Sequence, residues 1–143
     1  MITQGLTTVT RCEKCGRPLT LELGEYIERG RVRWSITGQC TGCPHAWCEQ
    51  GVSGPTATRI RDALLAEHGP VRLQLTNPEP NPVAVLRALR DALHLPLPEA
   101  RARATTLREA GLVGTRVEME FLAEALRRRS IATGFDGPPV NPG

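Results

Sequence analysis

Aromatic side chains are scarce in this 143-residue chain, which has two Trp, one Tyr and two Phe. So few rings disfavour an extended base-stacking surface of the kind that binds single-stranded nucleic acid. An excess of one charge is lacking too. Eighteen basic residues stand against fifteen acidic ones, a formal charge of +3, so bulk attraction to phosphate is weak. Lys14 is the only lysine, and with the abundant Ala, Pro and Gly this reads as the codon usage of a GC-rich genome rather than as function. No apolar run approaches the ~20 residues that span a bilayer. The start, MITQGLTTVTRC, has neither the basic end nor the apolar stretch of a secretion signal, so the expectation is a soluble, cytoplasmic protein with no membrane partner. A catalytic set is missing as well. His45, His68 and His94 are scattered without a spaced carboxylate or nucleophile, and no glycine-rich phosphate loop occurs, so no enzyme is expected.

What is present is a core's worth of apolar residues, 40% of the chain, and five cysteines confined to residues 12–48. Composition therefore divides the chain into a cysteine-bearing first third and a cysteine-free remainder, the simplest reading being two modules. Cys12-x2-Cys15 and Cys40-x2-Cys43 are two tight turns 24 residues apart, each with a glycine beside it, Gly16 and Gly42. Two such turns at the end of a hairpin complete a tetrahedral tetrathiolate site, so the expected cofactor is one structural zinc on Cys12, Cys15, Cys40 and Cys43. His45 and Cys48 stand as substitute ligands or as supports of the others. Disulfides fit poorly with an odd number of cysteines in an intracellular chain, and a redox C-x2-C lacks its strand-helix setting. Four thiolates close the metal's shell, so this zinc holds structure and catalyses nothing. The pattern resembles a zinc ribbon over about residues 8–51.

Residues 17–23 and 31–37 alternate apolar and polar positions and read as two strands, with EYIER between Gly24 and Gly30 as a loose loop. A short third strand runs beside Trp47 and Cys48. Pro55 suits the first position of a helix whose face carries Ala57, Ile60 and Leu64 and which Gly69-Pro70 ends. VRLQL is a strand; Pro82 then opens a helix with the stripe Val83, Leu86, Leu89 and Leu93, leaving Arg87, Arg90 and Asp91 exposed. HLPLP breaks it. The next helix starts near Pro98 and turns Ala100, Ala104 and Leu107 inward, and Thr115 with Glu118 forms a capping box for a last helix with the stripe Val117, Phe121, Ala125 and Leu126. SIAT reads as a closing strand. The divisions are 1–54 for the ribbon, 55–70 for a linking helix, 71–133 for an α/β domain and 134–143 for a disordered tail. The fold class is α+β, a β-hairpin zinc ribbon followed by a small β-α-α-β-α-β sandwich.

The second module carries a resemblance of its own. PVAVLRALRDALHLPLPEAR, residues 82–101, is similar to the C-terminal domain of the bacterial ribosomal stalk protein, whose first two helices read V-A-V-I-K-A-V-R and G-L-G-L-K-E-A-K. The order of elements over about 60 residues fits as well. His94, Pro96 and Pro98 depart from the family at the bend, and a zinc-ribbon pattern stands where that family has its oligomerisation region and hinge. The same fold class includes the adaptor that presents substrates to the Clp protease, so the resemblance implies docking. In the stalk family the first two helices recruit translation GTPases through basic residues. Carried over residue by residue, this implies a partner-binding surface of Val83, Ala84, Arg87, Arg90 and Arg101. The expected function is a non-catalytic adaptor or regulatory protein that binds another protein, with the ribosome or a translation factor among the partners. Two alternatives stand beside it. One is a ribosome- or nucleic-acid-binding ribbon using Arg11, Lys14, Arg17, Arg31 and Arg33, disfavoured because residues 1–54 carry six bases and five acids. The other is a small cytoplasmic immunity or toxin-neutralising protein.

Overall fold

The computed structural model describes residues 3–51 and 54–136. They form two compact units, Met1–His68 and Gly69–Gly143. The first is a four-stranded antiparallel meander in the order β1-β2-β3-β4, made of β1 (Thr3–Arg11), β2 (Pro18–Glu28), β3 (Arg31–Cys40) and β4 (Ala46–Gly51), and joined by helix α1 (Thr58–His68). Strand side chains alternate between faces. Leu19, Leu21, Leu23 and Glu25 of β2 therefore share a face with Trp34, Ile36 and Cys40 of β3, and α1 covers part of it with the fully buried Ile60 and Leu64. Burying two such side chains contributes about 1.5–3 kcal/mol each. The helix expected as a linker is thus packed in the first unit's core. It starts at Thr58, after Pro55, and the Thr56 hydroxyl donates to the carboxylate of the buried Glu25.

Two expectations for this unit need correction. β1 was not foreseen, because its two apolar residues, Leu6 and Val9, fall on opposite faces and leave no alternation to read; β2 supplies the order by pairing with it from Thr3↔Tyr26 to Arg11↔Pro18. EYIER is not a loop either. β2 runs on to Glu28, and only Arg29 and Gly30 turn the chain, with φ of 52° and 73°. Positive φ at both positions is what a type I′ two-residue loop requires, because its twist matches that of the strands. The two tryptophans repeat one packing device. Trp34 lies over Gly51 and Trp47 over Gly38, each indole filling the space above the glycine paired with it on the neighbouring strand.

The second unit runs β5 (Val71–Leu75), α2 (Pro82–Leu93), α3 (Leu97–Glu109), β6 (Leu112–Gly114), α4 (Arg116–Arg127) and β7 (Thr133–Asp136), with β5 central in an antiparallel sheet of order β6-β5-β7. Val71 and Leu73 of β5 join Val85, Leu89, Leu107, Leu122 and Leu126 in one apolar cluster, so the three helices pack on a single face of the sheet. The Asn81 side chain caps α2 by accepting from the Val83 and Ala84 N–H groups, and Pro82 occupies a position whose missing N–H costs nothing. The Thr115–Glu118 capping box of α4 is formed as read.

The buried stripe of α2 is Val85, Ala88 and Leu89, rotated from the one expected: Val83 is 55% exposed. In α4, Met119 and Leu122 are buried where Phe121 and Ala125 were expected, since the sheet side of that helix is set by Val117 and Leu126. The closing strand begins at Thr133, after Ile131 has entered the core, so SIAT gives only its first residue and residues 134–136 of the expected tail are strand. Residues 137–143 of that tail lie outside the described residues. Among the described residues no helix is long and apolar enough to cross a membrane.

Candidate metal centre

Both C-x2-C turns sit at the same end of the meander, one between β1 and β2 and the other between β3 and β4. Register brings them together: Leu19 pairs with Cys40, and Pro18 accepts hydrogen bonds from both the Thr41 N–H (3.2 Å) and the Thr41 hydroxyl (3.0 Å). The sulfurs of Cys12, Cys15, Cys40 and Cys43 all lie within 4.8 Å of one another. Cys12 and Cys43 Sγ are 3.8 Å apart, Cys15 and Cys40 Sγ 3.4 Å. A disulfide needs about 2.05 Å, so these are free thiols. Zinc with Zn–S bonds of ~2.3 Å in a tetrahedron sets sulfurs about 3.8 Å apart, inside the range of separations in this cluster.

The backbone is arranged for thiolates. The Lys14 N–H points at Cys12 Sγ (3.4 Å) and the Gly42 N–H at Cys40 Sγ (3.3 Å), each two residues after its cysteine. The His45 N–H serves Cys43 in the same way. Cys40 is drawn down to about 6, first by the Gly42 N–H, then with help from the neighbouring thiols and against its burial. Cys43 goes the other way, to about 12: its His45 N–H favours the thiolate, but burial and the three thiols that share its charge outweigh it. Thiolates this close repel one another unless a cation lies between them. Supplying that cation, one structural zinc, satisfies the whole set.

Cys12 and Cys40 are buried beside Leu19, whereas Cys15 is exposed. The knuckle glycines leave room for arginines. Arg11 packs against Gly16, which has φ of 76°, and the Arg17 stem lies where a side chain at Gly42 would go.

The two substitute ligands are placed elsewhere. Cys48 pairs with Thr37 on the opposite face of the sheet from Cys40 and contacts the Thr37 hydroxyl, at 3.8 Å, and Gln50. His45 takes part through its backbone, its carbonyl accepting from the Cys40 N–H at 3.0 Å. The signal for its backbone role is position, since His45 lies two residues after Cys43 as Lys14 does after Cys12 and Gly42 after Cys40. The five ribbon cations do not form one patch. Arg11, Lys14 and Arg17 lie at the metal end, while Arg31 and Arg33 lie at the far end of the β2–β3 hairpin, where Arg33 pairs with Glu28 at 3.3 Å.

In the second unit, Val83, Arg87 and Arg90 fall on one exposed face of α2, Ala84 is half-buried beside them, and Arg101 is exposed on α3. A groove between the helices is lined by Pro82, Leu86, Ala104, Arg101, Thr105 and Arg108. A second hollow is bordered by Arg87, Arg90, Asp91, His94 and Leu95. Arg129 binds the Asp91 carboxylate at 2.6 Å, and Arg87, Arg90 and Arg101 make no ion pair among the described residues.

No known family model, no curated protein and no solved structure matches this chain.

Proposed function

We propose that this is a non-catalytic adaptor or regulatory protein, stabilised by one zinc in its first unit, that docks a partner protein through the exposed surface of α2 and α3 in its second. The observation that carries the reading is the state of Arg87, Arg90 and Arg101. Asp91 lies four residues after Arg87, the spacing of a helix ion pair, yet its carboxylate is taken by Arg129. Among the described residues the three guanidinium groups have no carboxylate partner: Arg87 and Arg90 share an exposed helix face with Val83, and Arg101 lines the apolar-floored groove between the helices. Arginine beside apolar surface is the composition of an interface centre, and the fitting partner surface is acidic. The resemblance of residues 82–101 to the ribosomal stalk protein supports the same surface and makes a ribosomal or translation factor the first partner class to test.

The test is capture from a nuclease-treated extract of the organism, followed by titration of the purified partner. Arg87→Glu/Arg90→Glu is expected to weaken binding at least ~10-fold while circular dichroism and zinc content stay unchanged. Equal affinity of the double variant and the wild type would move the docking surface off α2.

A further inference from the structure

The outer edge of β1 carries no neighbouring strand among the described residues, since β1 pairs only with β2. In an antiparallel ladder, successive residues direct their N–H and C=O groups alternately toward the paired strand and away from it. His68 identifies the outward set. Its Nε2 lies 2.9 Å from the Gly5 carbonyl oxygen, so Gly5 faces away from β2, and by alternation Thr7, Val9 and Arg11 do too. The Gly5 carbonyl is taken. The outward backbone groups of Thr7, Val9 and Arg11 have no partner among the described residues.

Edge strands are ordinarily guarded by Lys, Pro, acidic residues or a bulge that twists them away from other chains. β1, TQGLTTVTR, has no Lys, Pro, Asp or Glu, and its register with β2 is unbroken from end to end, so it contains no bulge. Val9, in the middle of the free stretch, is 63% exposed, more than Val83, Val113 or Phe135.

We propose that this edge is an interface between two copies of the chain, the β1 strands pairing antiparallel about a twofold axis at Val9 and joining two four-stranded sheets into one of eight. The sequence is self-complementary in that register. Each Val9 meets the second copy's Val9, each Thr7 meets an Arg11, and each Thr8 meets a Thr10. The strand's only charged side chain, Arg11, faces a threonine and never its own copy, as an isologous interface requires. His68 excludes the register centred on Thr7, which would need the Gly5 carbonyl it occupies.

The experiment is sedimentation equilibrium of the zinc-loaded full chain from about 10 µM to about 1 mM, the range in which a small interface dissociates. The mass is expected to move from one copy toward two. Val9→Lys places two ammonium groups across the axis, and Val9→Pro removes the outward N–H without touching the β1–β2 ladder. Each variant should raise the dimer Kd at least ~10-fold while keeping one zinc per chain. Hydrogen exchange at Thr7, Val9 and Arg11 should slow with concentration in the wild type alone. A monomer at every concentration would overturn the proposal, as would a dimer whose Kd neither substitution changes. An edge that binds added extended peptides without self-association would overturn it equally.

Discussion

A thiolate, a left-handed residue and a glycine decide most of what happens in the first unit. Each of the four ligand cysteines closes a site that three sulfurs leave open, so Cys12→Ser or Cys40→Ser should lose the stoichiometric zinc, measured by metal analysis of the purified protein. Cys48→Ser, on the opposite face of the sheet, should keep it. Retention of zinc by Cys40→Ser would show that another group completes the shell. Arg29 offers a test of opposite sign. It holds φ of 52° in the β2–β3 loop without the tolerance of Asn or Gly for that region. Arg29→Asn creates the Asn-Gly pair that type I′ loops prefer and should stabilise the first unit by about 0.5–1 kcal/mol in urea unfolding. A loss of stability would mean that the arginine side chain makes a contact worth more than the backbone strain.

Among the elements, those set by short-range chemistry were legible in the sequence and those set by partners were not. The Cys-x2-Cys turns declare themselves because the ligand spacing and the N–H groups that face Cys12, Cys40 and Cys43 lie within one turn of chain. The Thr115–Glu118 box is legible for the same reason, both halves lying within four residues. Thr115→Ala removes the acceptor for the Glu118 N–H and should cost the second unit about 1 kcal/mol, read as a lower midpoint in chemical denaturation.

β1 was hidden because its two apolar residues point to opposite faces, and the end of β2 because the buried Glu25 sits in a stretch whose charges read as loop. In α2 the apolar residues Val83, Val85, Leu86 and Leu89 leave more than one face open to choice, and only the packing of α4 and β5 against Val85 and Leu89 settles it.

At the scale of the molecule, the two units have separate cores and separate sources of stability. The second buries a continuous cluster from three helices and a sheet. Among the described residues the first buries just Leu23, Ile36, Ile60 and Leu64 in its main cluster, so its metal end depends on the ion. Structural zinc supplies roughly 10–16 kcal/mol of apparent binding energy, coupled to folding. Chelation should therefore unfold the first unit and leave the second folded, which amide spectra of the full chain would resolve residue by residue. Acid should do the same, because protons compete with the metal for the four thiolates. Loss of dispersion in both units together would mean that they fold as one.

The reciprocal stacking of Trp34 on Gly51 and Trp47 on Gly38 has an optical consequence. These are the only two tryptophans of the chain, and both lie in the first unit. Excitation near the red edge of indole absorption therefore illuminates the zinc-bearing sheet alone, and the second unit is dark. The ring scarcity that weakens the case for base stacking thus equips the protein with an intrinsic reporter. Emission follows the metal, while the helical ellipticity, most of it from α2, α3 and α4, follows chiefly the second unit, in one sample without a label.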